Sequence, residues 1–107
     1  MMEILTNFAA IESAIQKDFV MIIAKTKACA TCAMIVPHLS RNLRRLEEFK
    51  QYQVFVDDID EFRGKHVIFS VPTVLIFNEG KEILRESRFI NIDKVNRLIE
   101  AYFSDQT

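Results

Sequence analysis

Residues 19–32 read FVMIIAKTKACATC, a stretch that joins a continuous apolar run to the only two cysteines of the chain. An apolar run of this length, without polar alternation, is typical of a strand that is buried on both faces of a sheet. Cys29 and Cys32 lie three residues apart, between this run and the start of a helical pattern. We therefore expect both sulfur atoms at the junction between a buried strand and a helix.

The residues that follow predict a long amphipathic helix with one apolar stripe. The residues of the stripe recur at helical spacing and are Cys32, Ile35, Val36, Leu39, Leu43 and Leu46. Pro37 lies inside the pattern, so a kink is expected there. This assignment puts Cys29 in the first turn of the helix and Cys32 one turn further on, on the same face.

The remaining pattern predicts an α/β fold. The expected elements are a first helix that contains Phe8, Ile11 and Ile15 and ends near residues 17–18, the strand 19–24, the long helix, a strand at 52–56, a short helix at 60–65, strands at 74–77 and 81–89 around a turn at 78–80, and a last helix from residue 92 with Asn91 as its N-cap. A strand–helix–strand unit implies a right-handed parallel crossover, and the later hairpin adds an antiparallel strand. The sequence therefore predicts a central mixed β-sheet flanked by helices on both faces.

Length and composition predict one domain covering residues 1–107. Half of the 107 residues are hydrophobic and 27% are charged, as in ordinary globular proteins. The net charge of −1 gives no general attraction to nucleic acid or to an anionic membrane, and we expect neither as a partner. The densest basic cluster, Arg41, Arg44 and Arg45, is interpreted as the solvated face of the long helix. The apolar run at 19–24 is too short to span a bilayer.

We expect a cytoplasmic protein, because the N-terminus has no basic region of a signal peptide and Glu3 interrupts any apolar stretch. In the cytoplasm a structural disulfide would normally stay reduced. The cysteine pair therefore indicates redox chemistry or metal binding.

The position of the pair predicts a different role for each cysteine. A thiolate, not a thiol, attacks disulfides, and unpaired N–H groups at a helix start favour the anion of Cys29. Lys25 and Lys27 lie just upstream and can add to this effect. Cys32 belongs to the apolar stripe, so we expect it to be the more buried sulfur. We therefore assign attack to Cys29 and resolution of the mixed disulfide to Cys32. Thr31 can donate a hydrogen bond to a sulfur, but we favour its interpretation as a plain helix-start residue.

Other interpretations of the pair stay open at this point. A structural disulfide would close a very small loop, which constrains the unfolded chain little. A closed zinc site needs four ligands, and only His38 and His66 could join the cysteines, with His38 on another part of the helix surface. An isolated Cys-x-x-Cys can also arise by chance, although its position between strand and helix makes it more specific.

These features together resemble the thioredoxin family over nearly the whole chain. The resemblance is carried by the strand at 19–24, Cys29-Ala30-Thr31-Cys32, Pro37 eight residues after the first cysteine, Val71-Pro72-Thr73 ahead of a strand, and the Asn78-Glu79-Gly80 hairpin. It implies the thioredoxin-like fold, with a cis peptide bond before Pro72 and with Pro72 against the cysteine pair. It also implies that Val71 pairs with the backbone of a substrate.

The resemblance implies a thiol–disulfide oxidoreductase without a bound cofactor or metal. Cys29 and Cys32 would be its catalytic residues, and Val71 and Pro72 its substrate-binding residues. The expected partners are disulfide-containing proteins or small thiols as substrates, with a thioredoxin-reductase-like flavoprotein or a low-molecular-weight thiol as reductant. We expect the protein to act as a monomer.

The chain also departs from the thioredoxin pattern at several positions. It contains no Trp, Ala28 precedes the first cysteine, and Ala30-Thr31 replaces Gly-Pro. The buried acid of the family falls at Ile23, and its late glycine falls at Arg88. These changes favour a rival hypothesis, a binding or adaptor module or a redox sensor with weak turnover. A second rival is a metal or iron–sulfur protein bridged across a dimer by Cys29.

Overall fold

The computed structural model describes residues 2–104, and within them five strands form one mixed sheet with helices on both faces. The elements in chain order are β1 (Glu3–Ile4), α1 (Phe8–Ile15), β2 (Val20–Lys25), α2 (Cys32–Asn42), a 3-10 turn (Leu46–Glu48), β3 (Lys50–Phe55), α3 (Asp60–Lys65), β4 (Thr73–Asn78), β5 (Lys81–Ser87) and α4 (Ile92–Ser104). The strand order across the sheet is β1-β3-β2-β4-β5. None of the helices in this part of the chain is long and apolar enough to cross a membrane.

The sheet has the mixed topology that the sequence predicts. β2 pairs in parallel with β3, with Ile22 opposite Tyr52, and this is the expected crossover through α2. On its other side β2 pairs antiparallel with β4, and β4 continues into β5 as an antiparallel hairpin. The hairpin turn consists of Glu79 and Gly80, with φ angles of 52° and 87°. Two central residues with positive φ form the turn that matches the twist of a two-residue hairpin.

β2 is buried on both faces, as its apolar run predicts. Phe19, Met21 and Ile23 pack in a core cluster with side chains of α2 and α4. Val20 and Ile22 point to the opposite face, where α1 and α3 cover the second core cluster. This two-sided burial fixes the strand that leads into the cysteine pair, because neither face can turn towards solvent without losing apolar burial.

α2 is shorter than the sequence predicts at its C-terminal end. The helix stops at Asn42, and Arg45 then adopts a left-handed conformation with φ of 58°. The cause is a contact with α4: Asn96 Oδ1 accepts a hydrogen bond from Arg44 N–H, and Asn96 Nδ2 donates to the carbonyl of Asn42. Leu46 still packs against the first core cluster, but from the 3-10 turn and not from the helix.

β1 is absent from the predicted elements. It has two residues and pairs with β3, with Glu3 opposite Tyr52, and the Leu5 N–H extends the pairing to the carbonyl of Gln53. Two residues are too few to show a hydrophobic period, so local sequence carries no signal for this strand.

Candidate active site

Cys29 and Cys32 lie at the junction of β2 and α2, both as free thiols. Cys32 is the first residue of α2, and its exposed fraction is 0%. Cys29 is partly exposed and lies in the turn before the helix, so its predicted position in the first helical turn is wrong. The expectation that Cys32 is the more buried sulfur is confirmed.

The start of α2 nevertheless faces the sulfur of Cys29. The Cys32 N–H donates a hydrogen bond to Cys29 Sγ over 3.2 Å. A side chain that accepts from an N–H three residues later has the reach of a helix N-cap. The next N–H groups bond within the turn, from Ala33 to the Ala30 carbonyl and from Met34 to the Thr31 carbonyl. The Cys29 sulfur thus receives an N–H group that the tight first turn leaves without a carbonyl partner.

Thr31 has a more specific contact than a plain helix-start residue. Its hydroxyl oxygen lies 3.2 Å from Cys29 Sγ, which is hydrogen-bonding distance for sulfur. Its side chain makes no capping hydrogen bond to α2, although Thr31 occupies the N-cap position. Thr31 thus stands at the start of α2 as predicted, and it also has the contact with a sulfur that was the less favoured interpretation of the sequence. The Thr31 hydroxyl contacts the Cys29 sulfur, two residues away, and not a backbone N–H group of α2.

The two thiols have opposite pKa shifts. Hydrogen bonds from the Cys32 side chain and from Thr31 lower the pKa of Cys29, and backbone N–H groups add to this. Burial raises the pKa of Cys32 to about 11, and the neighbouring Cys29 adds to the increase. Cys29 therefore loses its proton first as the pH rises. The pair then presents one partly exposed sulfur that ionises more readily than an ordinary thiol and one buried sulfur that stays protonated at neutral pH.

The upstream lysines are both engaged by other groups. Lys27 Nζ lies 2.8 Å from a carboxylate oxygen of Asp58. Lys25 Nζ donates to Gln53 Oε1 over 2.9 Å, and its charge lowers the pKa of Cys32, although less than burial raises it. The effect of Lys25 thus falls on the second cysteine.

Val71 and Pro72 lie beside the cysteine motif. Their peptide bond is cis, as expected. Together with Thr31, Arg88 and Phe89 they line an open groove of about 300 Å³. Because Thr31 is hydrogen-bonded to Cys29, this groove borders the exposed sulfur. Phe89, which is 92% exposed, has no role in the predictions from sequence, since only the fold brings it next to Pro72.

At two positions this chain has a residue of a different chemical type from that of the thioredoxin family. Ile23, at the position of the buried acid, is fully buried opposite Val74, in the core cluster on the α2 side. In the described part of the chain, no carboxylate is among the main groups that shift the pKa of Cys32. Arg88, at the position of the late glycine, has a positive φ of 64°. Its backbone thus keeps a conformation that glycine adopts without steric cost, while its side chain adds a cation.

The two histidines, His38 and His66, contact different residues. His38 Nδ1 is 3.3 Å from the side-chain nitrogen of Asn42 on the same helix. His66 Nε2 is 2.7 Å from Glu12, and its ring packs against Phe62. Among residues 2–104, no group of three His, Cys, Asp or Glu side chains is arranged to hold a metal ion.

Comparisons with known proteins agree with the resemblance seen in the sequence. No protein-family model matches the chain. The thioredoxin-like protein YdfQ of Bacillus subtilis is 29% identical over 100 residues, covering 92% of this chain and 89% of that protein. Thioredoxin of Chlamydia trachomatis is 26% identical over 96 residues, with 90% and 91% coverage.

The solved structures give the same answer for the fold. Oxidised thioredoxin of Plasmodium falciparum superposes with a TM-score of 0.80 at 23% identity, over 95% of this chain and 98% of that one. A mitochondrial thioredoxin of Saccharomyces cerevisiae superposes with a TM-score of 0.76 at 20% identity and 94% coverage of both chains. On these grounds, and with the spacing of Cys29 and Cys32, the chain has the thioredoxin fold and is similar to thioredoxin-like proteins over nearly its whole length.

Proposed function

We propose that this protein is a thiol–disulfide oxidoreductase in which Cys29 is the nucleophile and Cys32 the resolving cysteine. The observation that carries the proposal is the asymmetry of the pair. Cys29 is accessible and has a lowered pKa, whereas Cys32 is fully buried and has a pKa raised to about 11. An attacking thiol must be ionised and reachable, and a resolving thiol only has to reach the neighbouring sulfur.

The proposed cycle has two exchange steps. The Cys29 thiolate attacks one sulfur of a substrate disulfide, which forms a Cys29–substrate disulfide and releases the other substrate sulfur as a thiolate. Cys32 then loses its proton and attacks the Cys29 sulfur, forming the Cys29–Cys32 disulfide and releasing the second substrate thiolate. Two electrons pass from the protein to the substrate. A thioredoxin-reductase-like flavoprotein or a low-molecular-weight thiol would return them.

Val71 and Pro72 form the proposed substrate edge. The Pro72 carbonyl already accepts a hydrogen bond from the Arg88 N–H over 2.7 Å. Within residues 2–104, by contrast, the backbone N–H and C=O of Val71 have no hydrogen-bond partner. An extended segment beside the groove could therefore pair with the Val71 backbone while its disulfide lies against Cys29.

The proposal extends to the setting of this activity. We propose that residues 1–107 work as one domain and as a monomer, because one sheet separates and supports both core clusters. The cytoplasm is the proposed compartment, since its glutathione and thioredoxin systems supply the thiol reductants that the cycle requires. Protein disulfides and small disulfides are both candidate substrates.

Reduction of insulin tests the proposal. With dithiothreitol as the reductant, the wild-type protein should accelerate the precipitation of insulin chains, which is followed by turbidity. Cys29→Ser should abolish the acceleration, and the variant Ala33→Ser, changed next to the pair, should retain it. Wild-type protein that is no faster than dithiothreitol alone would contradict the proposed activity.

A second candidate function is a binding module or redox sensor with weak turnover. The burial of Ile23 favours it, because within residues 2–104 no carboxylate is among the main groups that shift the pKa of Cys32. A sensor would form the Cys29–Cys32 disulfide stoichiometrically with an oxidant but turn over slowly with insulin. Comparing the rate of one turnover with the steady-state rate separates the two functions.

A further inference from the structure

The backbone of Arg88 is hydrogen-bonded beside the candidate active site, and its side chain is not part of that contact. Its N–H donates to the Pro72 carbonyl over 2.7 Å, which ties the residue to the loop that borders Cys29. Its φ of 64° is costly for a residue with a Cβ atom. It is one of five non-glycine residues with positive φ in the described chain, and of these five it is the one that lines the groove.

The guanidinium of Arg88 is an unpaired cation. Arg88 is exposed, and within residues 2–104 its side chain makes no hydrogen bond or ion pair. The two lysines upstream of Cys29 differ in this respect, because Lys27 pairs with Asp58 and Lys25 donates to Gln53. Near the cysteine pair, Arg88 is therefore a positive charge that no neighbouring group of the described chain satisfies.

The surroundings of Arg88 form a surface that suits a peptide segment. The groove contains Thr31, which contacts Cys29, and the free backbone of Val71. Phe89 is 92% exposed at the same groove and offers an apolar ring next to the cation. A segment bound there would place the residues next to its disulfide cysteine beside Arg88 and Phe89.

We propose that Arg88 makes this protein select disulfides whose flanking segment carries an acidic side chain. This inference rests on the proposed function and names its substrate class, an acidic peptide segment around the disulfide. Charge complementarity supplies the selection: a carboxylate would give Arg88 the partner that it lacks, and a lysine there would be repelled. Phe89 adds apolar contact without discriminating charge.

The expected preference is modest because the cation is exposed. Exposed ion pairs contribute little, which corresponds to a preference of about two- to fivefold in rate for an acidic over a neutral flank. Salt should weaken the preference, since charges in solvent are screened over about 10 Å at 0.1 M ionic strength. Both effects should act on the capture of the substrate and not on a small neutral disulfide.

The test is a single turnover of the reduced protein with matched peptides. The substrates are disulfide-linked dimers of one short peptide with Glu, Gln or Lys next to its cysteine, and neutral bis(2-hydroxyethyl) disulfide is the reference. The variants are Arg88→Gln, which keeps a side chain and thus the backbone strain, Arg88→Glu, and Arg97→Gln as an exposed control on α4. For each protein we take the ratio of its rate with the Glu peptide to its rate with the Lys peptide. Comparing this ratio between proteins removes the intrinsic reactivity of the peptides, which is the same for every protein.

We expect Arg88→Gln to lose the preference, Arg88→Glu to reverse it, and Arg97→Gln to keep it. Arg97→Gln should reduce the neutral disulfide at the wild-type rate, and the peptide rates of each Arg88 variant are divided by that variant's own rate on this disulfide. Unchanged Glu-to-Lys ratios in both Arg88 variants, or an equal change in Arg97→Gln, would overturn the inference. Normal reduction of the neutral disulfide by the wild-type protein would in that case leave the proposed function intact. Failure of the wild-type protein on the neutral disulfide as well would overturn the proposed function and the inference with it.

Discussion

The backbone N–H of Cys32 donates a hydrogen bond to Cys29 Sγ over 3.2 Å, although Cys29 lies outside the helix that Cys32 begins. The same residue therefore acts on the pair in two ways. Its N–H and its side chain favour the thiolate of Cys29, while its own sulfur is buried and holds its proton. The difference between the two thiols follows from where the helix starts.

Alkylation should distinguish the two cysteines by pH. The thiolate is the reactive form, and the pKa of Cys29 is lowered, so the midpoint of its rate against pH with iodoacetamide should lie below that of a free thiol, about 8.5. Cys32, with a pKa of about 11, should react slowly through the whole accessible range. Peptide mapping by mass spectrometry assigns each rate. The assignment fails if Cys29 titrates at or above a free thiol, or if Cys32 is labelled first.

Replacing Thr31 should raise the pKa of Cys29. Thr31→Val keeps the shape of the side chain but removes the hydroxyl that lies 3.2 Å from Cys29 Sγ. The thiolate fraction at pH 7 should then fall, and alkylation of Cys29 should slow by up to about tenfold, as expected for loss of one modest hydrogen bond. Thr31→Ser keeps the hydroxyl and should stay close to wild type. At a pH well above the pKa of Cys29 in each protein the three rates should converge, and a persistent difference there would point to altered access instead.

Removing the resolving thiol should trap substrates. In Cys32→Ser, a mixed disulfide on Cys29 has no neighbouring thiolate to attack it, so it should persist through non-reducing electrophoresis. Cys29→Ser should trap little, because its remaining sulfur is buried. The measurement is the yield of disulfide-linked adducts with reduced-and-reoxidised insulin. Equal yields from the two variants would mean that the two roles are not divided as proposed.

Much of this fold could be predicted from local sequence because its strongest signals are local. The unbroken apolar run of β2 marks a strand in the middle of a sheet, and Asn91 caps α4 as predicted, accepting the Lys94 N–H. The bounds of α3, Asp60–Lys65, also agree with the pattern. The end of α2 could not be predicted, since Asn96, more than fifty residues along the chain from Arg44, ends that helix.

The candidate site also has parts that the sequence predicts and parts that depend on the folded structure. The spacing of Cys29 and Cys32 and the burial of Cys32 follow from the helical stripe, and the neighbourhood of Val71 and Pro72 follows from the family resemblance. The hydrogen bond of Thr31 depends on the turn between the cysteines, whose geometry no residue pattern specifies. Phe89 reaches the groove only because β5 returns beside β4, so its position there depends on tertiary structure.

Gly80 should be important for stability through its backbone. Its φ is +87°, and a Cβ atom there would lie 2.7 Å from Gln16 Oε1, the flexible end of a side chain. Gly80→Ala should therefore lower the free energy of unfolding by about 1–2 kcal/mol, mostly from the left-handed backbone. Urea denaturation measures the loss. Gly80→Asn should lose less, since Asn tolerates this conformation, and adding Gln16→Ala should not rescue Gly80→Ala; a full rescue would mean that the steric contact dominates.

The resolving step should depend on the charge of Lys25. This side chain is part-buried and held by Gln53, and its charge lowers the pKa of Cys32. Lys25→Met should therefore raise that pKa further. Because the pKa of Cys32 is already about 11, its thiolate is scarce at neutral pH, and the rate of resolution should fall in proportion to the thiolate that remains.

The effect is measured on a preformed disulfide between Cys29 and thionitrobenzoate, whose coloured anion is released when Cys32 attacks. At pH 7 we expect Lys25→Met to release it more slowly than wild type, by less than about tenfold because the ammonium is only part-buried. Lys25→Arg keeps the charge and should stay near wild type. Lys27→Met is the matched control, since Lys27 pairs with Asp58 and is not among the groups that shift Cys32. Equal slowing in both methionine variants would show that general surface charge, and not the position of Lys25, controls this step.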